Sequence, residues 1–197
     1  MIRIVVILSC LLLLQCSMDR AIAPISEYEI VNLEKFQMIG SASKVMIADE
    51  QEPGEKLLLC VTFLDKDSKK AWSNQKVSFY HTSTNGDYEP SNPADETTAR
   101  LNGTAITNES GEIYVKTILP GDYGNSTNNR HIHTTVYGAS PEAYDILFNQ
   151  CSGRIGRFMD SGNDQMFFAD LKKTKDNELA CFVTIEAKNP KNGRLNQ

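Results

Sequence analysis

The feature that most constrains the fold is a series of short segments rich in β-branched and aromatic residues, separated by turn-forming residues. The segments span residues 56–64, 76–81, 103–107, 113–118, 131–137 and 179–187. Clusters of Asp, Asn, Gly and Ser between them, at 65–68, 85–87 and 108–111, favour tight turns. This alternation predicts an all-β fold, an antiparallel β-sandwich (prealbumin/Ig-like) with long loops and at most one short helix.

One segment, residues 140–150, supports two interpretations. Ser140 is a good N-cap and Pro141 suits the first helical position, so a short helix is one possibility. The run Ile146-Leu147-Phe148 is equally compatible with a strand. A run this short has too few periods to decide between them.

Composition places the chain among ordinary globular proteins. It has 197 residues, of which 41% are hydrophobic, enough for a core in one domain or two small ones. The net charge is −5, and Lys and Arg do not cluster into runs. Because binding to a phosphate backbone needs a basic surface, nucleic acid is not an expected partner.

The N-terminal residues indicate export. Arg3 precedes an apolar run over residues 4–14, about half of the roughly 20 residues that a membrane-spanning helix needs. This length is typical of the central region of a secretory signal. Leu13-Leu14-Gln15-Cys16 resembles a bacterial lipobox with Cys16 as the acylated residue, although Gln15 replaces the usual small residue.

These features divide the chain into three parts. We expect a signal peptide with lipobox at 1–16, a tether and irregular lead-in at 17–55, and the β-sandwich domain at 56–190. The predicted location is the bacterial cell envelope, with a lipid anchor at Cys16 as the membrane contact. Cleavage without acylation is the alternative, and it gives a periplasmic or secreted protein.

Three cysteines follow the predicted signal: Cys60, Cys151 and Cys181. An odd number permits at most one intramolecular disulfide. Cys60 and Cys181 lie within apolar runs, where a thiol most often packs as a small hydrophobic side chain. We therefore expect core thiols and no structural disulfide.

The sequence His131-Ile132-His133 lies at the start of a predicted strand. Because side chains alternate along a strand, both imidazoles face one side and can bind one metal ion. Pairs of this kind are more often surface or hydrogen-bonded residues, so the pair alone gives weak support for a metal site.

Two tyrosines follow turns at the ends of predicted strands. Asn85-Gly86-Asp87 leads into Tyr88, and Pro120-Gly121-Asp122 leads into Tyr123. Taken singly, each is more simply explained as a turn tyrosine whose ring packs over the edge of the sandwich.

Taken together and in this order, these motifs resemble the intradiol ring-cleavage dioxygenases, the family that includes catechol and protocatechuate dioxygenases. The resemblance covers roughly residues 56 to 150. Its matching pieces are Val77-Ser78-Phe79-Tyr80-His81, Gly86-Asp87-Tyr88, Thr107-Asn108-Glu109-Ser110-Gly111-Glu112-Ile113-Tyr114, Thr117-Ile118-Leu119-Pro120-Gly121-Asp122-Tyr123 and His131-Ile132-His133.

The resemblance implies a mononuclear, non-haem Fe(III) bound by Tyr88, Tyr123, His131 and His133. Two phenolates and two imidazoles supply hard anionic oxygen together with nitrogen, which favours ferric over ferrous iron. Phenol has a pKa near 10, so only a strongly acidic metal ion holds both tyrosines as phenolates near neutral pH.

The resemblance also implies a reaction. In the family, a catechol-type substrate binds as a dianion, O₂ cleaves the bond between the two hydroxyl-bearing carbons, and the product is a muconate-type dicarboxylic acid. By position, Tyr123 is the catalytic ligand that is displaced and takes up a substrate proton.

Two positions depart from the family pattern. The family commonly has an arginine three residues before the first histidine, where this chain has Asn128. Arg130 is the remaining candidate for a catalytic arginine, although strand alternation turns it away from the iron side. Asp145 stands near the place of a family glutamine, where a carboxylate repels a dianionic substrate. His81 is either a neighbour of the ligands or a hydrogen-bonded strand-end histidine.

Three functions therefore remain open. The first is an Fe(III)-dependent intradiol dioxygenase acting on a catechol with O₂. The second is a non-catalytic, prealbumin-like binding module, which has no need of the His131 and His133 pair. The third is an iron- or catecholate-binding protein that has lost oxygenase activity. The missing arginine is the observation that suggests it.

Overall fold

The computed structural model describes residues 21–124, 127–152 and 164–190. The strands are β1 (Ala23–Pro24), β2 (Lys44–Met46), β3 (Lys56–Asp65), β4 (Lys76–His81), β5 (Leu101–Ile106), β6 (Glu112–Ile118), β7 (Asn129–Val136), β8 (Ala143–Ser152), β9 (Met166–Ala169), β10 (Leu171–Lys173) and β11 (Leu179–Ala187). One α-helix, α1, spans Glu27–Met38, and two 3₁₀ turns span Ser41–Ser43 and Glu96–Thr98.

The strands form two sheets packed face to face, which confirms the predicted sandwich. One sheet has the strand order β1-β10-β11-β3-β6-β2, and the other has the order β5-β4-β7-β8-β9. The hairpin neighbours, including β4 with β5 and β7 with β8, are antiparallel as expected. Both sheets are nevertheless mixed, because β3 pairs with β11 in parallel and β8 pairs with β9 in parallel.

The core lies between the two sheets. Alternate residues of each strand point into it, which follows from the two-residue period of a strand. Burying each large apolar side chain contributes about 1.5–3 kcal/mol to stability. The largest of these buried side chains include Leu57, Leu59, Phe63, Phe79, Ile132, Ile146, Phe148 and Ile185.

Helix α1 covers the outer face of the six-stranded sheet. Its N-terminus has a capping box, in which Ser26 and Glu29 hydrogen-bond to each other's backbone N–H groups. Leu33 and Phe36 pack against a small apolar cluster that includes Cys60. The helix lies in the segment expected to be an irregular lead-in, and its apolar face is stabilised by the sheet rather than by a strong periodic pattern.

Strand β8 decides between the two interpretations of residues 140–150, and the helical one is wrong. Tyr144, Ile146 and Phe148 are buried, whereas the residues between them are more exposed. This two-residue period matches antiparallel pairing with β7. Pairing with a neighbouring strand satisfies the backbone, so the local helix signal at Ser140 and Pro141 is overridden.

Cys60 and Cys181 are free thiols, as expected. Cys60 and Cys181 are fully buried, on opposite faces of the six-stranded sheet. Burial raises the pKa of both thiols, since a thiolate loses its hydration there.

The predicted signal peptide, lipobox and Cys16 lie outside the described residues. Within the described ranges, no helix has the length and apolar character that crossing a membrane requires.

Candidate metal centre

A row of three side chains crosses the outer face of the five-stranded sheet. Tyr80 on β4 pairs with His133 on β7, and His133 pairs with Asp145 on β8. Ile132 and Thr134 point into the core. His131 and His133 therefore face outward on the same side, as the sequence predicted.

The two tyrosine-bearing turns pack backbone against backbone. A Cβ atom on Gly86 would lie 1.9 Å from the carbonyl oxygen of Asp122, and one on Gly121 would lie 2.4 Å from that of Thr84. The N–H groups of both glycines donate to the carbonyl oxygen of Ser83, each at 3.0 Å. Gly86 also has a φ of +86°, which favours glycine. These two glycines bring the turns close enough for their tyrosines to meet.

Asn129 attaches the second turn to the start of β7. Its side-chain oxygen accepts from the N–H of Tyr123 at 3.0 Å, and its side-chain amide donates to the Tyr123 carbonyl at 2.9 Å. Its own N–H donates to Asp122 at 2.8 Å. Sequence reasoning missed this residue, because a single asparagine after a loop gives no signal of its partner.

The four predicted metal ligands lie together in one cluster. The Nε2 atoms of His131 and His133 are 3.0 Å apart, and the Tyr88 hydroxyl lies 2.9 Å from Nε2 of His133. The Tyr123 ring lies 5.8 Å from the Tyr88 ring and 5.3 Å from the His131 ring, measured between centroids. Polar atoms of Tyr88, His131 and His133 thus meet at one point, and the ring of Tyr123 lies beside them.

Hydrogen bonds on the far side of each imidazole define its tautomer. Nδ1 of His131 contacts the carbonyl oxygen of Asn129, and Nδ1 of His133 contacts a carboxylate oxygen of Asp145 at 2.7 Å. These oxygens can only accept, so both Nδ1 atoms donate. In the neutral rings, both Nε2 atoms then carry lone pairs that face each other. Burial lowers the pKa of His131, which favours this neutral form.

Tyr88 needs a cation to become a phenolate. Burial, reinforced by the negative charge of Glu96, raises the pKa of Tyr88 above its ordinary value. Without a metal its hydroxyl stays protonated and donates to His133. A strongly acidic metal ion at this point reverses that preference, because it stabilises the anion directly.

This donor set fits ferric iron. Two phenol oxygens and two bare imidazole nitrogens provide hard oxygen and nitrogen ligands, without a thiol among the described neighbours. In the metal-free protein Nε2 of His133 accepts from the Tyr88 hydroxyl, and Nε2 of His131, 3.0 Å away, has no proton to share with it. A cation at this point accepts the lone pairs of both nitrogens.

Asp145 and Arg130 each have a partner within the fold. Asp145 contacts Nδ1 of His133, on the opposite side of the ring from Nε2. The Nε atom of Arg130 pairs with Asp122 at 3.2 Å. Asn128, which replaces the family arginine, hydrogen-bonds to Thr127 at 3.3 Å.

His81 is a hydrogen-bonded core histidine and not part of the cluster. It is fully buried; Nδ1 donates to the carbonyl of Thr82 at 2.8 Å, and Nε2 accepts from the hydroxyl of Thr117 at 2.6 Å. Burial lowers its pKa to about 4. Both ring nitrogens are therefore used within the fold, which favours the structural interpretation.

An open cavity of about 430 Å³ leads to the cluster. Tyr88 and Tyr123 form part of its wall, so a bound molecule reaches the convergence point from this side. The volume is ample for a single aromatic ring with substituents. The other lining residues are Gly86, Asp87, Glu89, Pro90, Pro93, Glu96 and Gly124.

Comparison with known sequences identifies relatives. A family described as Dioxygenase matches residues 37–194. A stretch of 78 residues is 38% identical to catechol 1,2-dioxygenase from Acinetobacter baylyi. That stretch covers 39% of this chain and 25% of the relative, so the chain matches only about a quarter of that protein's length.

Solved structures share the fold. The dioxygenase domain of a dioxygenase carbohydrate-binding protein fusion from Streptomyces sp. SirexAA-E has a TM-score of 0.54 at 18% identity, over 77% of this chain and 92% of that one. The intradiol ring-cleavage dioxygenase from Tetranychus urticae has a TM-score of 0.53 at 21% identity, over 75% of this chain and 86% of that one. At these identities the likeness establishes the fold alone.

The family match extends over most of the described residues and includes both tyrosine-bearing turns and strand β7. The fold agrees with it, and so does the resemblance in the sequence. The chain therefore belongs to the intradiol dioxygenase family.

Proposed function

We propose that this protein is a non-haem Fe(III)-dependent intradiol dioxygenase that uses O₂ to cleave a catecholic aromatic to a muconate-type dicarboxylic acid. Tyr88, Tyr123, His131 and His133 bind the iron in this proposal. Membership of the family supports ring cleavage in general. The observation that carries the iron site is the convergence of two bare imidazole nitrogens, 3.0 Å apart, with the Tyr88 hydroxyl.

The two tyrosines have different roles in this proposal. A catechol must lose two phenolic protons to bind a metal ion through both oxygens. Tyr123 is 38% exposed and borders the cavity, so it can move and accept one of these protons. Tyr88 is more buried and its hydroxyl is held by His133, so it remains in place.

The bound metal supplies the activation of the catechol toward O₂. The chain's own residues orient the substrate ring and shield it from one side. The cavity beside Tyr88 and Tyr123 is walled on that side by Pro90 and Pro93, whose rigid rings suit contact with an aromatic edge.

A second candidate is a ferric site that binds catechols without oxygenating them. The ion pair of Arg130 with Asp122 favours it, because the guanidinium is already occupied by a carboxylate. A catalytic role for Arg130 requires that this pair opens when substrate binds.

Product analysis distinguishes the two candidates. Iron-reconstituted protein is incubated with catechol and isotopically labelled O₂, and the products are identified by mass spectrometry. A ring-opened dicarboxylic acid that contains both labelled oxygen atoms supports the dioxygenase. Binding of catechol without consumption of O₂ supports the second candidate and contradicts the first.

Export and lipid attachment at Cys16 remain a separate proposal from the sequence. Arg3 and the apolar run at 4–14 support a signal, and Cys16 follows at the position of a lipobox cysteine. Metabolic labelling with a fatty acid tests it, because the label should be lost in Cys16→Ala. Unchanged labelling of that variant would rule out Cys16 as the acylated residue.

A further inference from the structure

Asp145 supplies a negatively charged hydrogen-bond acceptor directly opposite His133. The two residues pair across β7 and β8, and Oδ1 of Asp145 lies 2.7 Å from Nδ1 of His133. Within the described part of the chain, Asp145 forms no ion pair with a lysine or arginine. Its charge therefore acts mainly on the imidazole.

The Asp145 carboxylate lies on the wrong side of the ring to share a metal with Nε2. Ligand atoms of His131, His133 and Asp145 lie within 4.8 Å of one another, like a two-His, one-carboxylate triad. However, Asp145 contacts Nδ1, whereas Nε2 of the same ring faces His131 and Tyr88. Since the two ring nitrogens point away from each other, Asp145 acts on the ring and not on a metal held at Nε2.

The His133 ring is constrained on a second side by stacking. The ring of Tyr80 lies 4.5 Å away between centroids, with an angle of 22° between the two planes. A stacked imidazole can still turn over about its Cβ–Cγ bond, which moves Nδ1 to the opposite edge. The hydrogen bond to Asp145 selects the orientation that directs Nε2 to the cluster.

Among the residues that the structure describes, His131 has no charged partner of this kind. Nδ1 of His131 donates to the backbone carbonyl of Asn129, which is neutral. Hydrogen bonds to an ionised acceptor are roughly twice as strong as those between neutral groups. His133 is therefore the more electron-rich of the two imidazoles and the stronger donor to a cation.

We propose that Asp145 is a positioning residue that fixes the tautomer and orientation of His133 and, through its charge, favours Fe(III) over Fe(II) at the site. The first part concerns the metal-free protein. The second part rests on the proposed function, and it follows because a nearby anion stabilises the more highly charged ion more strongly.

The first test uses the metal-free full chain, which has three histidines and so gives few imidazole signals. In ¹⁵N NMR, His133 should be protonated at Nδ1 and bare at Nε2. Asp145→Ala should produce a mixture of both tautomers, while the His81 and His131 signals report that the variant is folded. An unchanged His133 tautomer in folded Asp145→Ala would overturn the positioning role.

The second test measures the reduction potential of the iron-reconstituted protein. Asp145→Asn keeps an acceptor oxygen but removes the charge, so it tests the effect of the charge on the potential. Because it conserves the shape of the side chain, this test can be made even if Asp145→Ala fails to fold. The ratio of Fe(III) to Fe(II) affinity should fall about tenfold, which raises the potential by about 59 mV for one electron. Glu109→Gln removes an exposed charge in the turn between β5 and β6, away from the cluster, and it should change the ratio by less than about threefold because exposed charges are screened.

Equal potentials for wild type and Asp145→Asn would overturn the charge effect, and so would equal shifts in Asp145→Asn and Glu109→Gln. Failure of the proposed function gives a different result. In that case the wild-type protein binds no iron, while the NMR measurement still decides whether Asp145 controls the tautomer of His133.

Discussion

The Nε2 atoms of His131 and His133 face each other at 3.0 Å, although both rings already donate through Nδ1. Two unprotonated nitrogens at this distance repel each other unless a proton or a cation lies between them. The strand register, the contact with Asp145 and the stacking with Tyr80 hold the rings in this arrangement. An arrangement that is unfavourable without a cation is the basis of the proposed iron site.

Loss of a ligand should remove the metal. Mutation of a residue that hydrogen-bonds to a metal ligand usually lowers metal affinity roughly 10–100-fold. We expect a larger loss of Fe(III) affinity when a ligand itself is removed, in Tyr88→Phe, His131→Ala and His133→Ala. Each variant should lose activity together with the iron. Metal content after gel filtration and Fe(III) titration provide the measurement.

A matched control for the hydroxyl deletion is Tyr137→Phe. Tyr137 hydrogen-bonds to Ser78 at 3.1 Å and is not part of the cluster. Its variant should retain iron. Full iron content and activity in Tyr88→Phe, His131→Ala or His133→Ala would refute the four-ligand assignment.

The backbone contact between the two turns should tolerate no side chain. Gly86→Ala should lower the free energy of unfolding by more than about 2 kcal/mol, because its φ is unfavourable for alanine and its Cβ would overlap the Asp122 carbonyl. Gly40→Ala is the control, since a Cβ atom at that position would meet no neighbouring atom within 4 Å. Urea denaturation of both variants tests this, and similar effects at the two glycines would contradict it.

Asn129 should control the position of Tyr123. Asn129→Ala removes two hydrogen bonds to the Tyr123 backbone, and we expect a loss of about 1–3 kcal/mol in stability together with weaker catechol binding. The matched control is Asn149→Ala. Among the described residues, the Asn149 side chain hydrogen-bonds to Asp170 and not to the cluster. If both variants bind catechol equally well, Asn129 has no role in positioning the tyrosine.

His81 should make stability depend on pH. Its pKa is lowered from 6.5 to about 4 in the folded protein, so the unfolded chain binds more protons between these values. The contribution of His81 to the free energy of unfolding is therefore fully present above about pH 6.5. As the pH falls toward 4, the free energy of unfolding decreases by roughly 3 kcal/mol in total because of this residue. NMR titration of His81 checks this directly. An imidazole that titrates near pH 6.5 in the folded state would show that burial does not suppress its charge.

The sequence predicted the strands that carry the site because their signals are local. Alternation of His131 and His133 around a buried Ile132 follows from the period of a strand. The sequence alone could not decide whether residues 140–150 form a helix or a strand. Tyr144 and Phe148 lie on the same buried face because β8 pairs with β7, and this pairing is not visible in so short a run. Helix α1 was also not predicted, because Leu33 and Phe36 depend on the sheet for burial.

The candidate ligands could be predicted from the sequence, but their supporting residues could not. Tyr88 and Tyr123 follow recognisable turns. The contacts of Asp145 with His133 and of Asn129 with Tyr123 depend on strand register and on a bulge near Asn129, which no short motif encodes. The sequence suggested that Asp145 faces the substrate, whereas register places it behind the imidazole.

The most direct test of the central claim is the visible spectrum of the purified protein after ferric reconstitution, recorded before and after anaerobic addition of catechol. The proposed site predicts about one iron per chain and a tyrosinate-to-iron(III) charge-transfer band that shifts when catechol binds. Tyr88→Phe should alter this band, whereas Tyr137→Phe should leave it unchanged. A protein that stays colourless after reconstitution would contradict the ferric site and favour a non-catalytic binding module.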